Sequence, residues 1–237
     1  MPVRHAVVPD QLTLAFETPE PGPRVPRIRA MTAVDVPAPF DDEGWFFEPW
    51  WPGSPAMAVV EGGRLRIAMD QLADPAHAFP ELCVLVDQLT ADGVAMAGTL
   101  LVLDGDGRPD SELLRARLVD PDLRTGTGAF VASDLPWADG RSLAAWPFAQ
   151  RRARLLELLA DGDRAMASRG LRGEGLTLAT AVASMGLAAI SARRLAARWS
   201  PGPSPDAYLR LPVLAPTAPE TRPLLVLLQR LPLHEDA

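Results

Sequence analysis

The sequence contains no lysine: all 23 residues counted as lysine or arginine are arginine. A chain without a lysyl amine cannot itself form a Schiff base or a phosphoramidate, and it cannot make the phosphate contact of a P-loop lysine. Any chemistry that this chain performs therefore proceeds without a lysine nucleophile of its own.

Cysteine is nearly absent as well, and the charge balance is acidic. Cys83 is the single cysteine, which is typical of a reducing cytoplasm, and its apolar surroundings in FPELCVLV predict a small core residue. The formal net charge of −7 disfavours strong attraction to nucleic acid or anionic lipid. The longest apolar run near the C-terminus, LLVLL, is too short to span a bilayer. We therefore expect a cytoplasmic protein with weak or no DNA binding and no membrane attachment.

Two further classes of chemistry find no support in the residues. His5, His77 and His234 are far apart and have no Cys or His partner at ligand spacing, so we expect no metal site. No serine stands in a G-x-S-x-G context, and the cysteine has no motif around it, which disfavours a hydrolase.

The hydrophobic content of 48% in 237 residues is sufficient for a buried core. Residues 1–38 are rich in proline and predict an extended arm, residues 39–214 a folded domain, and residues 215–237 a C-terminal tail.

The pattern along the chain predicts strands and helices in irregular alternation. Gly62 and Gly63 predict a β-hairpin, and Asp110 is expected to cap the helix SELLRARL. HAFPELCVLVDQLTADG predicts a helix ending at Gly93. WPFAQRRARLLELLADG and EGLTLATAVASMG predict two more, the last closed by Gly186. Strands are expected at VAMAGTLLVL, GAFVASDLPW, LAAISARRL and AYLRLPVLA. This mixture predicts an α+β fold.

Five segments follow one another in a recognisable order: PFDDEGWFFEPWWPGSPAMAVVEGGRLRI, FPELCVLV, AGTLLVLDGDGRPDSELLRARL, FVASDLPWADGRSLAAWPFAQRRARLLELL and MGLAAISARRLAARWSPGPSPDAYLRL. Together they resemble the adenylation domain of bacterial ATP-dependent DNA ligases, most of all those associated with non-homologous end joining. The resemblance covers about residues 31–212 and implies the nucleotidyltransferase fold, with mainly antiparallel sheets flanked by helices. In that family a motif lysine attacks the α-phosphate of ATP, with the help of Mg²⁺, and becomes lysyl-AMP.

The same resemblance implies that the catalytic positions have changed. Trp50 stands at the position of the family's lysine, and Pro52 replaces the motif aspartate. The other changed positions are Pro55 for an arginine, Ala97 and Thr99 for two acidic residues, Ser133 for the aromatic residue that stacks on adenine, Leu187 for a glutamate, and Ala192, Arg210 and Pro212 for lysines. The positions that persist belong to the scaffold: Glu48, Gly53, Gly98, Asp134, Leu135, Gly140 and Arg141.

Several of these residues have alternative interpretations. Trp50 and Trp51 either fill the vacated cleft or offer an aromatic anchor to a partner, or they simply pack on the core or on the arm. Glu48, Gly53 and Arg141 are candidates for residual contacts in a nucleotide cleft, but a solvated strand-end carboxylate is the simpler interpretation of Glu48.

The polar groups further along the chain have simple structural interpretations. Asp134 is expected to organise a strand end, and Asp139 to belong to a turn. Arg151, Arg152 and Arg154 are expected to form a solvated helix face.

Three functions remain open on the sequence alone. The first, which we favour, is a non-catalytic binding or regulatory paralogue that needs neither ATP nor Mg²⁺ as a cofactor and acts through a protein partner. The second is a ligase or nucleotidyltransferase component in DNA repair and recombination, working with another chain that supplies the lysine and metal ligands. The third is ATP or DNA binding without turnover. We expect no OB-fold domain within the chain, because that module would need roughly a hundred more residues.

Overall fold

The computed structural model describes residues 24–69, 75–214, 223–229 and 231–232. In these ranges the strands are β1 (Met31–Thr32), β2 (Val34–Asp35), β3 (Asp42–Pro49), β4 (Ser54–Glu61), β5 (Arg64–Ala68), β6 (Val94–Leu103), β7 (Thr127–Ala138), β8 (Arg141–Ser142), β9 (Ala165–Ala167), β10 (Leu171–Gly173), β11 (Ala189–Arg194), β12 (Gly202–Pro203) and β13 (Tyr208–Pro212). The α-helices are α1 (Val84–Gln88), α2 (Ser111–Val119), α3 (Phe148–Leu158), α4 (Gly175–Ser184) and α5 (Leu224–Gln229). This mixture confirms the predicted α+β class.

Two main sheets organise the molecule. The first has the strand order β5-β4-β6-β7-β8, with β9 added to β7, and the second has the order β10-β3-β11-β13-β2. Neighbouring strands along the first sheet run antiparallel, whereas β9 on β7 and β2 on β13 are parallel additions. The sheets are therefore mainly antiparallel, as predicted.

The hairpin between β4 and β5 forms where the sequence predicts it. Gly62 and Gly63 both have positive φ angles, 59° and 67°. A two-residue turn of this kind matches the twist of the flanking strands, and only glycine adopts it without strain. The turn pairs Glu61 with Arg64, so it sets the register of the whole hairpin.

Three predicted helices are also confirmed. The Asp110 carboxylate accepts hydrogen bonds from the backbone N–H groups of Glu112 and Leu113, at 2.8 and 3.0 Å, and so caps α2. Pro147 is the N-cap residue of α3, and Gly186, with φ of 79°, follows the end of α4.

The helix predicted between His77 and Gly93 is largely wrong. The chain forms two short 3₁₀ turns, at Pro75–Ala78 and Pro80–Cys83, and α-helix only over Val84–Gln88. Proline at 75 and 80 removes backbone donors, and Leu89 is extended and bridges to Leu159 instead of continuing the helix. Cys83 is exposed, which corrects its prediction as a core residue; the adjacent Leu82 is buried in its place.

Buried side chains form three clusters. The first lies between one face of the first sheet and the elements α1 and α3; it includes Met96, Phe130 and Leu155. The second contains side chains of both sheets, such as Leu101 and Ile190, together with α4 and α5. Because the second cluster joins the two sheets, they pack against each other and leave a cleft beside it.

The third cluster attaches the described part of the arm, residues 24–38, to the first sheet. Val25 and Met31 are buried there against Met57, Ala97 and Trp199. Pairing of β1 with β12 and of β2 with β13 holds the arm at its other edge. Residues 1–23 and most of the C-terminal tail lie outside the described residues, but α5 of the tail packs into the second cluster.

None of the helices in the described ranges is long and apolar enough to span a bilayer.

Candidate functional site

The cleft between the two sheets is the candidate site. It opens where β3 leads into β4, and strands β6, β7, β11 and β13 complete its walls. Its lining residues are Ala30, Met31, Glu48, Pro49, Trp50, Trp51, Gly53, Pro55, Ala56, Ala97, Gly98, Thr99, Val131, Ser133, Ser168, Ser191, Arg193 and Tyr208.

Two glycines allow the strands around the cleft to approach closely. A Cβ atom on Gly53 would lie 2.3 Å from the carbonyl oxygen of Leu100, and one on Gly98 would lie 2.3 Å from that of Val131. Both distances are far below van der Waals contact, and both neighbours are backbone atoms that cannot move aside. Gly53 and Gly98 are therefore required by the packing of the scaffold, whatever the chemistry of the cleft.

The structure brings together about half of the positions that the resemblance singled out. Trp50, Pro55, Ala97, Thr99 and Ser133 all line the cleft, and so do Glu48 and Gly53. Pro52 lies just outside, in a neighbouring groove of about 520 Å³ between the β3–β4 loop and α2.

The remaining positions lie elsewhere. Leu187 and Ala192 are both buried in the second cluster. Leu187 precedes β11, and Ala192 lies on the face of β11 that is turned away from the cleft. Arg141 is exposed on β8 and stacks on Trp146, and Pro212 is exposed at the end of β13. The cleft-facing residues of β11 are Ser191 and Arg193, the neighbours of Ala192 on either side. Because side chains alternate along a strand, a one-residue difference in register moves a residue to the opposite face.

The two tryptophans have different environments. Trp51 is 3% exposed and packs in the second cluster, and its indole N–H has no hydrogen-bond partner among the described residues. Trp50 is half-buried at the cleft, with its ring 6.4 Å from that of Tyr208. The Arg210 guanidinium lies 5.3 Å from the Trp50 ring and forms an ion pair with Asp35 at 3.1 Å. Trp51 is thus a core residue, whereas Trp50 closes part of the cleft.

A buried ion-pair cluster forms the floor behind these residues. Asp134 is fully buried, and Arg151 donates two hydrogen bonds to its carboxylate, at 2.8 and 2.9 Å. Arg151 also donates to the carbonyl oxygens of Trp146 and Ala197. This bidentate pair joins β7 to α3 and to the segment after β11.

Arg193 extends the cluster into the cleft itself. Its guanidinium lies 3.3 Å from the Glu48 carboxylate and 3.6 Å from that of Asp134, and it donates to the Ser133 hydroxyl at 3.1 Å. It also stacks on Tyr208, with 3.7 Å from Cζ to the ring centroid. The planar guanidinium therefore occupies the space between an acidic group, a hydroxyl and an aromatic face.

Glu48 experiences two opposing effects. Burial raises the pKa of its carboxyl above the ordinary value, while the positive charges of Arg193 and Arg152 lower it and leave a net increase. Arg152 lies 3.6 Å from Glu48 and donates to the carbonyl oxygen of Ser168. The cluster therefore holds three arginines against two carboxylates in a region that excludes solvent.

These contacts correct two predictions. Glu48 is 2% exposed, so it is not a solvated strand-end carboxylate. Arg151 and Arg152 are buried at 1% and 6% exposure, and among the three helix arginines only Arg154 has the expected surface position, paired with Asp139. Asp139 does belong to the turn after β7, where it has a positive φ of 54°.

The open space left in the cleft is small. It amounts to about 50 Å³, whereas pockets for drug-sized ligands usually measure roughly 300–1,000 Å³. Arg193 and Trp50 occupy it from the sides, and Ala30 and Met31 of the arm cover it. In this conformation the cleft has room for a few water molecules but not for a nucleotide.

The residues of the cleft do not fit a Mg²⁺–ATP complex. Ala97 and Thr99 provide no carboxylate for the metal, and Glu48, the acidic residue in the lining, is engaged by two arginines. Nowhere in the described ranges do three His, Cys, Asp or Glu side chains gather closely enough to hold a metal ion. The indole of Trp50 has no nucleophilic group that could attack phosphorus.

The architecture is that of the adenylation domain of DNA ligases, a nucleotidyltransferase fold. The crystal structure of the ligase domain from M. tuberculosis LigD superposes with a TM-score of 0.65 at 23% identity, over 77% of this chain and 58% of that one. The structure of "mycobacterial DNA ligase D complexed with ATP and MES" matches equally well, with a TM-score of 0.65 over 59% of its chain.

The sequence is similar to DNA ligase and ligase-like proteins as well. It is 25% identical over 173 residues to the multifunctional non-homologous end joining protein LigD of Mycolicibacterium smegmatis, which covers 73% of this chain. It is 24% identical over 149 residues, 63% of this chain, to the SPbeta prophage-derived DNA ligase-like protein LigB of Bacillus subtilis. The chain spans about a fifth of the LigD relative, 22%, and about half of LigB, 54%. No family model matches the chain.

Sequence reasoning missed Arg193, Ser168 and Ser191 as cleft residues. The run Ser191-Ala192-Arg193-Arg194 places a polar residue on either side of Ala192, and this alternation within a predicted strand is the signal that would have indicated them. Arg151 and Arg152 gave no such signal, because adjacent arginines at a helix start normally face solvent.

Proposed function

We propose that this chain is a non-catalytic adenylation-type domain that serves as a binding or regulatory protein in DNA end joining. The observation that carries the proposal is the absence of lysine from all 237 residues, since adenylation in ligases proceeds through a lysyl nucleophile. Trp50, at the position that the resemblance gives to that lysine, lies at the cleft and stacks on an arginine.

The shape of the cleft supports the same proposal. Its free space of about 50 Å³ is bounded by Arg193, which is held by Glu48, Ser133 and Tyr208 at once. Displacing this side chain would leave Glu48 and Asp134 with fewer partners in a buried region, and unpaired buried charges are costly. The molecule's own side chains thus take the place that a ligand would need.

The names of similar proteins support the proposed role in DNA end joining. The similar protein of M. smegmatis is a non-homologous end joining protein, and the others are DNA ligases or ligase-like proteins. A domain that keeps this fold without the chemistry would act there by contact with other proteins.

The decisive experiment is incubation of the purified chain with α-labelled ATP and Mg²⁺. We expect no labelled protein after denaturing electrophoresis, while the ligase domain of a LigD relative serves as the positive control. A stable AMP adduct on this chain would show that it is an enzyme and would end the proposal.

Two binding measurements separate this proposal from nucleotide or DNA binding without turnover. Calorimetric titration with ATP should show no saturable binding below millimolar concentration, because charge-assisted contacts to the phosphates are missing. Gel shift with nicked duplex at low salt should show weak binding at most, given the net charge of −7. Saturable binding in either assay would favour the alternative in which the chain binds ATP or DNA without turnover.

A further inference from the structure

A second and larger concavity lies on the other side of the arm. One wall is the arm itself, residues 26–32, and the other is the hairpin strand β5 with the residue that follows it, Met69. Its volume is about 760 Å³, roughly fifteen times that of the cleft. We call it the arm groove.

Arginines border the arm groove along both walls. Arg27 and Arg29 line it from the arm, and Arg66 lines it from β5. Arg24 and Arg64 lie at one end of the groove. The backbone N–H of Val25, next to Arg24, donates to the carboxylate of Glu61. Glu61 in turn pairs with Arg64 across the hairpin. All five side chains belong to exposed residues.

Four of the five arginines, unlike those of the cleft, have no carboxylate partner among the described residues. Arg66 lies 3.7 Å from Glu61. Within the part of the chain that the structure describes, no carboxylate oxygen lies within 4 Å of the guanidinium groups of Arg24, Arg27, Arg29 or Arg64. A chain with a net charge of −7 thus concentrates unpaired positive charge at one groove. Complementary charge on a ligand would be attracted here specifically.

The floor of the arm groove is apolar. The apolar residues of its lining that keep exposed surface include Pro26, Ile28, Pro55 and Ala68, while Met57 and Val59 are almost fully buried. None of the described residues that line the groove is aromatic. A ligand that fits this groove therefore carries both negative charges for its rims and apolar groups for its floor.

We infer that the arm groove binds an acidic peptide segment of a partner protein, one in which carboxylate and apolar side chains alternate. In an extended peptide successive side chains point to opposite sides, so acidic groups can reach the arginines while apolar groups face the floor.

A nucleic acid fits the same observations less well. Single strands bind by stacking bases on aromatic side chains, and the groove offers none. A duplex would also extend beyond the basic groove over a surface that is acidic on average, whereas a short peptide interacts with the groove alone. The inference goes beyond the proposed function and does not rest on it, since the groove would keep its character even if the cleft proved to be catalytic.

The test uses the full chain and a fluorescein-labelled pool of peptides of about 12 residues, with Asp or Glu alternating with Leu or Phe, in fluorescence anisotropy. The double substitution Arg27→Glu and Arg29→Glu should weaken binding about tenfold or more, because it replaces two attractive contacts by repulsive ones. The matched control is Arg115→Glu with Arg172→Glu, which changes the net charge equally at exposed sites outside the groove and should change binding less than about twofold.

Peptide variants separate charge from apolar contact without altering the protein. Replacing every Asp and Glu of the pool by Asn and Gln, or every Leu and Phe by Ser, should weaken binding about tenfold in each case. Equal loss in the control variant, or no binding at about 200 μM peptide, a concentration at which even weak specific complexes form, would overturn the inference. The inference would also be overturned, in favour of a nucleic-acid surface, if a single-stranded oligonucleotide bound more tightly than the peptides and the substitutions Arg27→Glu and Arg29→Glu abolished that binding.

Discussion

The cleft and the arm groove lie side by side, share Ala30, Pro55 and Ala56 in their linings, and use arginine in opposite ways. In the cleft Arg151 and Arg193 are buried and paired with carboxylates, and little free space remains. In the arm groove Arg27 and Arg29 are exposed around a wide concavity, and they have no carboxylate partner in the part of the chain that the structure describes. Burial decides the difference: a buried guanidinium must be paired and so becomes part of the scaffold, whereas an exposed one remains available to a ligand.

The largest effect should come from breaking the bidentate pair beneath the cleft. Asp134→Asn removes the charge that compensates Arg151 in a fully buried position, and loss of one partner of such a pair costs about 3–5 kcal/mol. Chemical denaturation measures the change in the free energy of unfolding. Asp139→Asn, which breaks the partly exposed pair with Arg154, is the matched control and should cost less than about 1 kcal/mol. Similar costs at the two sites would mean that the buried cluster is not what holds the cleft together.

A smaller effect is expected for Arg193. Its contacts to Glu48 and Asp134, at 3.3 and 3.6 Å, are looser than the bidentate pair, and Glu48 keeps Arg152 nearby. Arg193→Ala should therefore lower the free energy of unfolding by about 2–3 kcal/mol. Arg29→Ala, in the arm groove, should stay within about 0.5 kcal/mol of the unchanged protein. An equal cost for both would contradict the division between scaffold and surface arginines.

The ionisation of Glu48 should affect how the free energy of unfolding changes with pH. Because burial raises the pKa of its carboxyl, the unfolded chain releases this proton at a lower pH than the folded chain does. The free energy of unfolding therefore falls as pH rises from the ordinary value of 4.5 through the raised pKa. The Glu48→Gln variant lacks this contribution. The free energy of unfolding of the unchanged protein minus that of the variant should therefore decline between pH 4.5 and the raised pKa, and it should be constant below and above that range. Parallel pH profiles from urea titrations would show that Glu48 ionises normally.

Restoring the nucleophile alone should have no effect on activity. Trp50→Lys supplies an amine at the cleft, but Ala97 and Thr99 still provide no carboxylate and Arg193 still occupies the space. We expect no labelled adduct with ATP and Mg²⁺ over the unchanged protein. Adduct formation by the variant would show that the cleft admits the nucleotide and that the arginine cluster does not exclude it.

Local signals predicted much of the fold. The paired glycines at 62 and 63 and the cap at Asp110 act through short-range geometry, which the sequence displays directly. The helix predicted from His77 was wrong although its apolar spacing is typical of a helix. Two prolines and the bridge from Leu89 to Leu159 determine the backbone conformation there.

The candidate site was predictable only in part. Positions near the β3–β4 loop, such as Trp50 and Pro55, line the cleft because a short loop ties them to it. Arg193 was not predicted because its role depends on which face of β11 is turned toward the cleft. Arg151 was not predicted because its partner Asp134 lies 17 residues away on another element. Tertiary partners determine both, and a single sequence does not display them.

The anchoring of the arm sets the order in which the molecule can be completed. The indole N–H of Trp199 donates to the carbonyl oxygen of Arg29, and the backbone N–H of Gly202 donates to that of Ala30. The ribosome synthesises these partners some 170 residues after the arm. Until they emerge, the nascent chain presents the apolar faces of Met57 and Ala97 to solvent and to any chaperone nearby. The arm is thus synthesised well before the partners that fix its position.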